Sequence, residues 1–70
     1  MSDVKALKEK IDESGLPMTT VAKRSGILRG TLYNRLKGIG EFTASEIVGL
    51  ANALQMTKTE REKIFFRGSM

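Results

Sequence analysis

Basic residues are concentrated between Met18 and Lys37, where polar side chains that can form hydrogen bonds lie among them. The bases are Lys23, Arg24, Arg29, Arg35 and Lys37. This stretch contains no acidic side chain, so it carries +5 while the rest of the chain carries a net −1. Cationic side chains attract polyanions because binding neutralises phosphates and releases counterions. The distribution indicates a nucleic-acid surface; an ordinary solvated basic face is the alternative.

Several kinds of site are excluded by composition, because the 70 residues include neither Cys nor His. Ordinary zinc, haem and iron–sulfur ligation needs these residues, as do the Ser-His and Cys-His nucleophiles. Glu9, Asp12 and Glu13 are expected to form a solvated helix face. We therefore expect no catalytic residues, no metal, no cofactor and no enzymatic activity. The sequence has no apolar run of 18 residues and no signal-peptide pattern, which argues against a membrane partner and favours the cytoplasm.

Five short helices are expected to position these side chains, within one domain spanning residues 1–70. The expected helices run from a cap at Ser2 or Asp3 to Gly15, from Met18 or Thr19 to Ser25, from Leu28 or Arg29 to Lys37, from a cap at Thr43 through Leu54, and from 57 to 66. The apolar content of 40% suffices for one small core. The predicted fold class is a compact all-α domain.

Two of the helix starts carry a capping-box pattern, in which Thr is followed three residues later by Glu. The pairs are Thr43 with Glu46 and Thr57 with Glu60. In such a box the hydroxyl and the carboxylate each accept a hydrogen bond from an otherwise free backbone amide. Both patterns precede apolar residues at helical spacing, so they predict the fourth and fifth helices.

The second and third helices are separated by only a few residues around Gly26. A joint this short is typical of a helix-turn-helix unit, expected here over about 18–37. Gly26 can adopt the left-handed conformation that the turn needs, and Ala22 is small enough for a helix to cross closely. After the third helix, Ile39 and Phe42 are expected to point inward and anchor the loop.

The segment 18–38 resembles the lambda-repressor and Cro type of helix-turn-helix protein. The residues that carry the resemblance are Val21-Ala22, Gly26-Ile27, Leu32 and the closing Gly38. The run Glu41–Ile47 is also similar to small phage-encoded regulators of Gram-positive hosts. The resemblance covers Val4 to Phe66 and implies a five-helix lambda-repressor-like DNA-binding domain. It further implies a sequence-specific, Cro-like repressor of a phage or prophage, acting on double-stranded DNA at the nucleoid in a bacterial cytoplasm.

The family's base-reading positions fall on the outer face of the third helix. They correspond to Arg29, Gly30, Tyr33 and Asn34. Arg29 is expected to bond O6 and N7 of guanine, and Asn34 to read adenine or contact a phosphate. Tyr33 is expected to meet a thymine methyl group or a phosphate, with packing against the domain as the alternative. Gly30 would allow close approach of the backbone.

Phosphate contacts are expected around this face, where free amides at the start of the second helix favour an anion. The candidates are Thr19, Thr20, Lys23, Thr31, Arg35 and Lys37. For Arg35 the alternative is an ion pair with Glu41 or Glu46. For Arg29 and Lys37 the alternative is an ordinary solvated charge.

A C-terminal apolar cluster is the candidate for subunit or partner contacts. It consists of Ile64, Phe65 and Phe66, and a helix cannot turn three consecutive residues to one face, so at least one is expected to be exposed. The alternative is that Ile64 and one Phe close the core while the other Phe is partly covered. DNA readers of this type pair on pseudo-palindromic operators, so a homodimer, weak or formed on DNA, is expected. A different function also fits: an antirepressor or protein-interaction module that binds another regulator. It is favoured by Leu28 in place of a polar cap, by Gly30 in the third helix and by the acidic Glu41.

Overall fold

The structure, a computed structural model, describes residues 3–66. Its elements are α1 (Val4–Ser14), α2 (Met18–Ser25), α3 (Arg29–Leu36), α4 (Ala44–Ala53) and α5 (Lys58–Phe65). No strand occurs in this described part of the chain, so the predicted all-α class is confirmed. Three helices are shorter than expected by one residue at one or both ends: α3 ends at Leu36 with Lys37 as its C-cap, α4 ends at Ala53 with Leu54 as its C-cap, and α5 begins at Lys58 and ends at Phe65. The first of the two caps considered for α1, Ser2, lies outside the described residues.

The helix ends follow from local chemistry. The Asp3 carboxylate accepts a hydrogen bond from the Ala6 amide at 3.0 Å and caps α1. Both predicted capping boxes are formed, with the Glu46 amide donating to Thr43 Oγ1 at 3.2 Å and the Thr43 amide to Glu46 Oε1 at 3.0 Å. The box at the start of α5 has the same two bonds, at 3.1 and 2.9 Å. These bonds satisfy amides that a helix start otherwise leaves free.

The core draws one fully buried side chain from each of the first four helices. These are Leu7, Val21, Leu32 and Leu50. Phe42 packs against it as predicted, with its ring edge-to-face on Phe65 at a centroid distance of 5.4 Å. The inward position expected for Ile39 is wrong, because its side chain is 58% exposed. Ile39 follows the α3 C-terminus and lies between two glycines with positive φ, Gly38 and Gly40.

Helix α2 is held on α4 by a close backbone approach. A β-carbon added at Gly49 would overlap the carbonyl oxygen of Ser25, the last residue of α2. Ser25 is buried, and its hydroxyl donates to the Val21 carbonyl at 2.6 Å, so this polar group is satisfied within α2. The contact of α2 with α4 therefore needs a glycine at position 49.

An ion pair joins the helices α1 and α5. Lys10 Nζ of α1 donates to Glu60 Oε2 of α5 at 2.6 Å. This hydrogen bond, followed by the one from the Thr57 amide, holds the pKa of the Glu60 carboxyl below its usual range. The pair lies on the surface, so it ties α1 to α5 without burying charge.

Candidate nucleic-acid interface

The turn between α2 and α3 consists of three residues, 26–28. Gly26 has a φ of 74°, the left-handed conformation expected there. The Ile27 amide donates to the Ala22 carbonyl at 3.1 Å, and both side chains are buried. The turn therefore locks α3 onto α2 and fixes which side of α3 faces outward.

The four predicted base-reading residues of α3 are accessible. Arg29, Gly30, Tyr33 and Asn34 are all exposed. Leu32 and Leu36 are buried, as their spacing of four residues predicts. The Tyr33 ring is 43% exposed, so it lies on the surface and not packed back into the domain. Gly30 and Asn34 lie away from the two leucines around the helix, whereas Arg29, seven residues before Leu36, lies near the leucine side and is exposed at the first position of α3.

The start of α3 has an unusual composition. Leu28 is the N-cap residue and makes no capping hydrogen bond with its apolar side chain. At Gly30, two residues further, a β-carbon would point into open space. The backbone of the first turn of α3 is therefore accessible at Gly30, where no side chain covers it.

The predicted phosphate contacts lie on α2, on α3 and at the C-cap of α3. Lys23, Lys37 and Thr19 are exposed, whereas Thr20 and Thr31 are half-buried. A shallow depression of about 510 Å³ at the start of α2 is lined by Thr19, Thr20, Lys23 and Arg24. Pro17, the N-cap of α2, supplies no side-chain cap to the amides of this turn. Two hydroxyls and two cations beside free helix amides suit an oxyanion.

Arg24 was not among the predicted contact residues, although it lies in the acid-free stretch. All four lining residues belong to α2, and Arg24 lies one turn after Thr20, as Lys23 does after Thr19, so helical spacing places it beside the depression. The adjacent Lys23 and the absence of acids between Met18 and Lys37 are the signals that could have identified it.

Arg35 is engaged inside the protein. Its Nε atom is buried and lies 3.5 Å from Glu46 Oε1, and its Nη1 donates to the Ile39 carbonyl at 3.3 Å. Of the two ion pairs considered, the structure forms the one with Glu46. A β-carbon at Gly40 would overlap the guanidinium, so the loop folds closely over it. Arg35 is therefore not one of the free cations of this surface.

The C-terminal cluster divides into core and surface. Ile64 and Phe65 are only 5% and 4% exposed, so the expectation that they make partner contacts is wrong. Both belong to the helical core, and the Phe65 ring packs edge-to-face against Phe42. Phe66, the C-cap of α5, is 45% exposed and remains available.

Phe66 borders a second surface, which we call the α4–α5 groove. It has a volume of about 420 Å³, and its lining residues are Phe42, Ala44, Ile47, Val48, Arg61 and Phe66. Val48 is 50% exposed on the α4 side. The groove is apolar apart from Arg61, which makes it a candidate for contact with another protein chain.

Comparison with known protein families, curated proteins and solved structures returned no match. Within residues 3–66, no helix has the length and apolar character to cross a membrane. The same residues contain no cluster of three or more Asp or Glu side chains arranged to hold a metal ion.

Proposed function

We propose that this chain is a sequence-specific double-stranded DNA-binding regulator of transcription, a phage or prophage repressor of the Cro type. The observation that carries the proposal is that α3 combines exposed hydrogen-bonding side chains with buried leucines. Arg29, Tyr33 and Asn34 are exposed. Leu32 and Leu36 hold the helix in the core. A helix held this way presents hydrogen-bonding groups rigidly, and the major groove of B-DNA is wide enough to admit it.

Electrostatics support the same face. Its exposed cations are Lys23, Arg24, Arg29 and Lys37. No acid lies between Met18 and Lys37 to offset them, and the internal pair with Glu46 already accounts for Arg35. The depression at the start of α2 would receive one phosphate, and Lys37 a phosphate beyond the other end of α3. Such contacts set the register of α3 on the duplex, while base contacts provide specificity.

Base reading follows from side-chain chemistry. Arg29, in the first turn of α3, has a guanidinium that can donate two parallel hydrogen bonds to O6 and N7 of guanine. Asn34 lies five residues further and can bond adenine in the same bidentate manner. Tyr33 presents a ring edge and a hydroxyl beside them. The proposed site is thus short, of a few base pairs per protein copy.

Short half-sites provide little specificity, so two copies are proposed to bind a pseudo-palindromic operator. The α4–α5 groove is the contact surface that this arrangement would use. Phe66 of one copy would enter the groove of the other, and the same apolar surface on both copies suits two-fold symmetry. The groove is small, which fits a weak dimer completed on DNA.

The α4–α5 groove also favours one alternative, an antirepressor that binds another regulator there. Exposed Val48 and Phe66 would then contact a different protein. A gel shift with DNA upstream of the protein's own gene separates the two functions. A repressor retards this DNA alone, whereas an antirepressor does so only by changing the complex of a neighbouring repressor.

The DNA-binding proposal is tested by fluorescence anisotropy with a labelled 24-base-pair duplex at several salt concentrations. Binding is expected to weaken steeply with salt, because each phosphate contact adds about −0.9 to the slope of log K against log salt. Lys23→Ala removes one phosphate contact and should therefore reduce the magnitude of this slope by about 0.9. Lys8→Ala, an exposed base on α1, is the matched control and should leave it unchanged. Affinity independent of salt would contradict the proposal.

A further inference from the structure

Leu28 is the most exposed large apolar side chain in residues 3–66, at 80%. It occupies the N-cap of α3, where Leu is among the poorer residues because it cannot accept a hydrogen bond from a helix amide. Neither core packing nor capping explains a leucine at this position. A Ser, Thr or Asp would stabilise the helix start and remove an apolar group from water.

The surroundings of Leu28 are those of the proposed DNA face. Arg29 follows it directly and is exposed, and Gly30 adds no side chain. The leading end of α3 is therefore free of bulk beside the leucine and can approach the base edges closely. Of the groups that the major groove presents, the C5 methyl of thymine is the apolar one.

We infer that Leu28 contacts a thymine methyl group at the base pair adjacent to the one read by Arg29. Leu28 would then be a specificity-determining residue that selects thymine over cytosine there. The inference rests on the proposed function, since it needs α3 in the major groove. The inference explains why Leu28 is so exposed, because the contact with DNA would bury its side chain. It also explains why an apolar residue occupies the N-cap position, where a polar residue would stabilise the helix more.

The test replaces thymine by deoxyuridine, which removes the methyl group and leaves base pairing intact. The probe is a duplex selected by the wild-type protein from a random-sequence library, with each thymine replaced in turn. Wild type is expected to lose about fourfold in affinity at one thymine per half-site, the value of one buried methyl group. Leu28→Ala should bind the two duplexes equally at that position.

Ile39→Ala is the matched control, since Ile39 is also an exposed apolar residue beside α3. This variant should retain the fourfold discrimination. Thermal denaturation of Leu28→Ala should show a folded protein, because the side chain contributes little to the core. Equal wild-type affinity for the thymine and deoxyuridine duplexes at every position overturns the inference and leaves DNA binding intact. Failure of the selection to enrich any sequence instead overturns the proposed function, and the inference with it.

Discussion

Nε of Arg35 lies 3.5 Å from Oε1 of Glu46, so the last turn of α3 is joined to the first turn of α4. The same carboxylate oxygen accepts the Thr43 amide of the capping box. A side chain from the proposed DNA-reading helix therefore contacts the carboxylate that caps the start of α4. Arg35 belongs to the framework of α3, while Lys37, two residues further, faces solvent.

Arg35 and Lys37 should consequently differ when each is replaced by alanine. Arg35→Ala removes a half-buried stem and an ion pair, and is expected to destabilise the fold by about 1 kcal/mol, or roughly 4–8 °C in Tm. Its slope of log K against log salt should match wild type. Lys37→Ala should leave Tm unchanged and reduce that slope by about 0.9. A reduced slope with an unchanged Tm for Arg35→Ala would make Arg35 a phosphate contact.

Two glycines should respond oppositely to alanine. Gly49→Ala forces a β-carbon against the Ser25 carbonyl oxygen, and the overlap is expected to cost about 1–3 kcal/mol because the contact is with backbone. Gly30→Ala meets open space inside a helix and should stabilise by about 0.5–1 kcal/mol. Thermal and urea denaturation measure both. The added methyl group at position 30 should also weaken DNA binding, since it separates α3 from the bases. If Gly49→Ala were as stable as the wild-type protein, α2 and α4 would not be in close contact at Gly49.

Acid should remove the contribution of the Lys10–Glu60 pair. The pKa of Glu60 is lower in the folded than in the unfolded chain, so its stabilisation is complete above the unfolded-state pKa and disappears as pH falls through the folded-state pKa. Glu60→Gln should therefore melt below wild type at pH 7 and together with it in strong acid. Glu62→Gln, exposed on the same helix, is the control and should follow wild type at every pH. If the difference in Tm between Glu60→Gln and wild type persisted in strong acid, it would not be due to the charge of Glu60.

Substitutions at the neighbouring Phe65 and Phe66 should have different effects, the first on folding and the second on association. Phe65→Ala opens a cavity in the core and is expected to cost about 3–5 kcal/mol, enough to unfold a domain of this size. Phe66→Ser should remain folded and lose pairing on DNA, because Phe66 borders the α4–α5 groove. Sedimentation with and without the selected duplex measures this. Monomeric wild-type protein in both states would reject the dimer proposal.

Helix boundaries were predictable from sequence because the signals are local. Thr43 and Thr57 each precede a Glu at the spacing of a capping box, and Gly26 takes the left-handed turn conformation. Each signal acts within a few residues along the chain, so it does not depend on tertiary packing.

The remaining features depend on contacts between distant segments. Arg35 has a long side chain with two acids in reach, and only the fold places Glu46 beside it. Three consecutive apolar residues end α5, and the sequence alone does not specify that Phe66 is the exposed one. The need for glycine at position 49 arises from the approach of α2, which has no signature in the local sequence.

The proposed reading of base sequence by α3 is tested most directly by selecting duplexes from a random library with wild type and Arg29→Ala in parallel. Wild type is expected to enrich a pseudo-palindrome with a specified guanine in each half-site. Arg29→Ala should lose the preference at that guanine alone, at a cost of about 1–3 kcal/mol on the wild-type site. Enrichment of no sequence by wild type, or the same sequence enriched equally by both proteins, would contradict base reading by Arg29.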